Sequence, residues 1–173
     1  MLFRFVTPTL PALDDLDSEV LVATLHSDVR PCRGVVGLCD FRMGGRISKL
    51  CADGFVSGDM GEVVMVPGKP FLSFDKLLLF GAGKLADLDL GRFQELLHSF
   101  FQRLQKLRAR AAVVELPGRA LGTVSPSDAA KLMLREAQQE WECDAWSLCE
   151  PPEGRSVIEA LVQEQRRRLR RGM

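Results

Sequence analysis

Short apolar runs alternate along this sequence with longer stretches whose apolar residues recur every three or four positions. The runs are Leu2–Val6, Glu19–Leu25 (EVLVATL), Glu62–Val66, Lys76–Phe80, Ala111–Leu116 and Asp144–Cys149, each of strand length. Leu2–Val6 carries Phe3 and Phe5 on one face. A run that is apolar at every position suits a strand buried on both faces, so Glu62–Val66 and Lys76–Phe80 are expected in the middle of a sheet.

The helical signals differ in strength. Leu90, Phe93, Leu97, Phe100, Leu104 and Leu107 keep the helical period for about five turns, with Gln94, Glu95, His98, Gln102 and Gln105 on the opposite, solvated side. Ser125 is placed to cap a helix with Pro126 at its first position and Asp128 in its first turn, and Ala130, Met133, Ala137 and Trp141 form its buried stripe. A last helix, Ser156–Arg171, turns Val157, Ile158, Leu161 and Val162 inward. Between Arg33 and Cys51 the spacing is helical but is interrupted by Gly44-Gly45. Two adjacent glycines cost about 2 kcal/mol inside a helix, which predicts two short helices or one sharp bend.

Pro8–Asp17 and Ala52–Met60 read as connections from their proline, glycine and acidic content. Strands alternating with helices predict an α/β domain with a six-stranded, mostly parallel sheet. The sequence-adjacent strand pairs near the N-terminus and around Pro67–Pro70 are the ones free to run antiparallel.

The 173 residues predict one domain, spanning 1–173, with enough chain for a substantial core. No apolar run approaches the roughly 20 residues of a membrane helix. MLFRFVTPTLP has no basic stretch leading an apolar one, so no signal peptide or membrane association is expected and a cytoplasmic location is the default. The zero net charge conceals an asymmetry: residues 1–165 carry 18 basic and 23 acidic side chains, whereas Arg166, Arg167, Arg168, Arg170 and Arg171 form a basic helix end at 166–171. An acidic body repels nucleic acid, and the tail has no interleaved aromatics for base stacking, so nucleic acid is not the expected partner. Cys32, Cys39, Cys51, Cys143 and Cys149 show no CxxC spacing and are expected to be buried free thiols.

Several short patterns occur in a telling order. Leu38–Asp40 is followed by Gly44-Gly45, then by Gly58 with Gly61-Glu62, then by Gly81-Ala82-Gly83-Lys84 with Asp87-Leu88-Asp89 after it, and later by GTVSPSDAAKLMLREA. Over residues 2–140 this succession resembles the amino-terminal domain of the leucine, or cytosol, aminopeptidase family. The resemblance implies a macro-domain-like, three-layer α/β/α sandwich. It also implies that the family's metal-dependent chemistry, carried by a separate carboxy-terminal domain, lies outside this chain.

Candidate chemistry is sparse. A metal pair needs several convergent ligands, and the two histidines do not provide them: His98 is expected to be a solvated side chain and His26, with Asp28, a loop histidine. No metal, no cofactor and no catalytic residue is expected. Asp14, Asp15 and Asp17 read as a solvated acidic cluster, and no G-x-S-x-G is present. Gly81, Gly83 and Lys84 form the one loop suited to an anion, since glycines let amides approach a phosphate and the lysine adds charge. The same residues suit a tight strand-to-helix turn, and that is the preferred reading of them. The leading expectation is a non-catalytic binding or assembly module, a homo-oligomer or the partner of an aminopeptidase-like protein. The alternatives are a nucleotide or ADP-ribose binder at Gly81–Lys84 and an aminopeptidase proper.

Overall fold

The computed structural model describes residues 3–136 and 145–171. Its elements are β1 (Phe3–Val6), α1 (Leu10–Asp14), β2 (Val20–Leu25), α2 (Gly34–Arg42), α3 (Arg46–Ala52), β3 (Val63–Pro67), β4 (Lys76–Gly81), α4 (Leu90–Lys106), β5 (Ala111–Glu115), α5 (Pro126–Glu136), β6 (Ala145–Cys149) and α6 (Pro152–Arg171). The strands form one mixed sheet in the order β1-β6-β5-β2-β4-β3. All neighbours are parallel except β3, which runs antiparallel to β4.

Alternation along the strands builds two cores. Val20, Val22, Leu78, Phe80, Ala112, Val114, Trp146 and Leu148 face α4, α5 and α6. Leu21, Ala23, Leu25, Leu77, Leu79 and Val113 face α1, α2 and α3. Successive side chains of a strand point to opposite faces, so runs such as VLVATL feed both layers, and the result is the expected α/β/α sandwich. On the first face Phe80 and Phe100 meet with ring centroids 4.4 Å apart, and Phe101 meets Trp146 at 4.9 Å.

The glycine pair does divide the α2–α3 region. Gly44 and Gly45 take φ of +63° and +80°, a left-handed backbone that a side chain would strain. Asp40 at the end of α2 then caps α3, its Oδ1 accepting the N–H groups of Ile47 and Ser48 at 2.7 and 3.0 Å.

Several expectations are corrected. Pro8–Asp17 is more than a connection: α1 forms there because Pro11 falls in the first turn, where no N–H is needed, and its Leu13 is buried. The last helix starts at Pro152 rather than Ser156, because a proline that ends a strand is equally fit to open a helix. Val157 of that helix is exposed rather than inward, as are Leu90 and Leu107 at the ends of α4. β1 does not lie beside β2 but pairs parallel with β6 at the far edge. Ala137, Trp141 and Cys143 fall outside the described residues.

One correction matters for function. β4 is buried on both faces, but the equally apolar β3 is an edge strand in which Met65 is 55% exposed. Hydropathy cannot distinguish a strand with two neighbours from a strand with one. Replacement of the fully buried Phe100 by Ala (Phe100→Ala) is expected to cost about 3–5 kcal/mol, read from chemical denaturation as a shifted midpoint with an unchanged slope.

Candidate functional site

β2 and β5 are parallel neighbours, yet β2 continues into α2 on one face and β5 into α5 on the other. The chain directions part between them, and a crevice opens beyond the strands' carboxyl ends, where open α/β sheets hold ligands. Thr24, His26, Cys32, Arg33, Glu115 and Ala120 line it.

Glu115, the last residue of β5, fills this crevice and is 4% exposed. Its Oε1 accepts the Val35 N–H at 3.0 Å, in the first turn of α2. The residue preceding α2, Arg33, supplies no side-chain cap, so the carboxyl of Glu115 takes the place an anion would hold at a helix N-terminus. Gly34 makes this possible: its φ is +64°, and a Cβ there would lie 2.7 Å from Glu115 Oε1. The remaining space, about 20 Å3, admits roughly one water. Small-ligand pockets span roughly 300–1,000 Å3.

Burial pushes the Glu115 carboxyl up to about 7, against the pull of the Val35 and Thr24 amides and with a further push from Glu150. Glu150 follows β6 and is paired within the protein. Arg119 donates from Nε at 3.0 Å and from Nη2 at 2.5 Å to Glu150 Oε1, and from Nη1 to the Val124 carbonyl at 2.5 Å. The pair is nearly fully buried and fastens the loop after β5 to the end of β6. Gly154 lies so close that a Cβ would sit 1.9 Å from Glu150 Oε1.

The remaining candidate residues serve the fold. His26 lies in the loop immediately after β2, as expected, but it is buried there, 4% exposed, with Nδ1 3.2 Å from the Gly83 carbonyl. Desolvation lowers its pKa, which keeps the ring neutral near pH 7. His98 is not simply solvated either, since its ring lies 2.6 Å from Glu136 Oε1 and 2.7 Å from Gln102 Nε2. Helical periodicity placed it on the outer side of α4 but could not show that α5 packs alongside. Cys39 and Cys149 are buried, whereas Cys32 and Cys51 are only partly so. Burial pushes the Cys39 thiol up to about 12 and raises Cys32 and Cys149 as well, the opposite of what a nucleophile needs. Of the acidic cluster, Asp14 pairs with Arg42. Among the described residues no group of three or more His, Cys, Asp or Glu is arranged to hold a metal ion.

The Gly81–Lys84 loop is pinned by its own amides. Gly81 N–H donates to the Glu62 carbonyl, Ala82 to Leu25 and Gly83 to Gly58, at 2.8–2.9 Å, and Leu85 donates to Asp28 Oδ1 at 2.9 Å. A Cβ at Gly81 would meet the Asp59 carbonyl oxygen at 1.9 Å, and Gly83 has φ of +69°. Opposite them, Glu62 accepts from the Ser57 and Gly58 amides. The glycines therefore let the 57–62 loop press against the end of β4. Lys84 is exposed. In the basic tail, α6 continues to Arg171, Arg167 and Arg168 are exposed, and Arg168 pairs with Glu164 at 2.5 Å. The side chains of Arg166, Arg170 and Arg171 are outside the described residues.

A model of the cytosol aminopeptidase family N-terminal domain matches residues 33–140, more than half of the chain. The chain belongs to that family. The matched span of this aminopeptidase-family domain holds Asp40, Gly44-Gly45, Glu62, Gly81 and Gly83, whose roles above are capping and close packing. A tomato leucine aminopeptidase superposes with a TM-score of 0.59 at 13% identity, over 92% of this chain and 35% of that one. The chain thus spans about a third of that enzyme's length. An Oceanobacillus iheyensis macrodomain gives a TM-score of 0.75 at 12% identity, covering 95% of this chain and 92% of its own. A Trypanosoma brucei macrodomain solved in complex with ADP-ribose gives 0.72 at 15%, covering 92% and 68%. These likenesses establish the macrodomain-like fold.

Glu115, Arg119 and Glu150 escaped the sequence reading. The one available signal was a glutamate closing the otherwise apolar run Ala111–Leu116. Because its folded pKa of about 7 exceeds the ordinary 4.5, its contribution is fully present below pH 4.5 and is lost as pH rises through 7. Glu115→Gln in this domain is expected to remove a pH-dependent component of up to about 3 kcal/mol, seen as a wild-type-minus-variant Tm difference that changes between pH 4 and 8. Arg119→Met leaves Glu150 buried and unpaired and is expected to cost about 3–5 kcal/mol in denaturant titration.

Proposed function

We propose that this domain is a non-catalytic assembly module that pairs with a second copy of itself through the β3 edge. One observation carries the reading: β3 is an edge strand, and Val63–Val66 has no charged residue while Met65 is 55% exposed. Edge strands of monomeric proteins are usually guarded by charge, proline or a bulge, because their unpaired amides and carbonyls template further pairing. Here Pro67 at the strand's end is the one such guard. Phe41, Phe55 and Phe71, from the same part of the chain, are 70%, 76% and 50% exposed. An antiparallel β3–β3 contact about a twofold axis uses the same surface on both copies and removes Met65 from water.

The non-catalytic part of the proposal is supported by raised thiol pKa values, by histidines already bonded within the fold and by a switch-point crevice filled with Glu115. A cytoplasmic location belongs to the same proposal. Its support is the family, together with the finding that no described helix is long and apolar enough to cross a membrane.

A small-molecule reading at Gly81, Gly83 and Lys84 has one support, the fold shared with a macrodomain solved with ADP-ribose. Against it, the amides of Gly81, Ala82 and Gly83 already serve carbonyls.

Light scattering on the eluting peak of a sizing column tests the assembly reading. The expected result is a dimer or larger species at micromolar concentration, converted to monomer by Val63→Lys with Met65→Lys at unchanged helicity. A strictly monomeric wild-type chain would overturn the proposal. Thermal shift against ADP-ribose is expected to leave Tm unchanged, and a rise that Lys84→Ala abolishes would establish the small-molecule reading instead.

A further inference from the structure

The α5–α6 layer ends in a second surface, far from β3 in the strand order. α6 has 20 residues, about 30 Å of helix, whereas the β6 strand it follows has 5 residues, about 17 Å. Burial matches this mismatch. Ile158 and Val162 reach the core, after which Gln163, Glu164, Arg167 and Arg168 are exposed.

Where α6 outruns the core, a groove of about 430 Å3 lies between it and α5. Leu134 and Leu161 are partly buried against the core and give it an apolar floor. Lys131, Arg135 and Arg168 line it as exposed cations, and Glu164 is the one acid among the described residues that line it. That acid is bonded to Arg168, and Lys131 stands 4.0 Å from Asp128, which leaves the groove net basic. The Arg166–Arg171 stretch continues the positive charge along the same helix.

We infer that the α5–α6 groove docks an acidic, leucine-bearing helical segment of a protein partner. Charge complementarity selects the acid: among the described groove residues Lys131, Arg135 and Arg168 outnumber the single carboxylate of Glu164. The leucine floor selects an apolar anchor, in the manner of an amphipathic helix laid in a groove. Nucleic acid fits less well. Among the described residues no aromatic lines the groove to stack on a base, and a phosphate backbone makes no use of the leucine floor.

The test is fluorescence polarisation on the full chain with two labelled probes of equal negative charge. One is a helical peptide with leucines at i and i+4 on one face and glutamates flanking them, and the other is a single-stranded oligonucleotide. The peptide is expected to bind at physiological salt at least tenfold more tightly than the oligonucleotide. Lys131→Glu with Arg135→Glu is expected to weaken it tenfold or more, while Arg167→Glu, an exposed arginine outside the groove, changes it less than threefold. Replacing the peptide's leucines with serine is expected to cost as much as the groove variant. The β3 variant Val63→Lys with Met65→Lys is expected to bind the peptide as wild type does, which separates this site from the assembly surface. Absence of peptide binding would overturn the inference, as would preference for the oligonucleotide or an Arg167→Glu loss equal to that of the groove variant.

Discussion

Burial of β2, β4 and β5 on both faces decides where polar chemistry is placed in this molecule. Helices cover both sides of these strands, so their side chains are apolar almost throughout, and polar groups collect beyond the strand ends or on outer surfaces. The one acid within a central strand, Glu115, stands at the last position of β5, where the backbone amides of Val35 in α2 and Thr24 in β2 can satisfy it. A carboxyl deeper in the strand would have no donor and would incur the full cost of desolvation.

That placement separates the domain from what its fold makes available. The opening between β2 and β5 is a natural anion site in a doubly wound sheet. Here the protein's own Glu115 carboxyl takes that place, and Gly34 brings the backbone against it. Beside it the buried Arg119–Glu150 pair closes the loop that follows β5. A fold shared with macrodomains does not by itself transfer their ligands, and in this chain Glu115 occupies the crevice. The family's glycine and acid pattern follows the same logic. Asp40 caps a helix, Glu62 ties down a turn, and Gly81 and Gly83 permit two loops to touch. These residues maintain a shape.

The two surfaces proposed for recognition lie toward opposite ends of the sheet order. At one end β3 offers an apolar edge guarded by Pro67 alone, and toward the other α5 and α6 enclose a basic groove. Their chemistries differ, so they suit different contacts: backbone pairing at the first, charge and leucine packing at the second. The two proposals therefore rest on separate surfaces.

Much of the architecture was determined by the sequence alone. Period-two and period-3.6 patterns, the Gly44-Gly45 break and the Pro126 and Ser125 start signals are local properties, readable because each depends on neighbours a few positions away. The tertiary structure alone decided the sheet order, and with it which apolar strand became an edge; β3 and β4 look alike in sequence and differ only in their number of neighbours. It also decided that Glu115 meets the start of α2 across 80 residues and that His98 meets Glu136 across 38. Such pairings follow from packing between distant elements, and no local pattern encodes them.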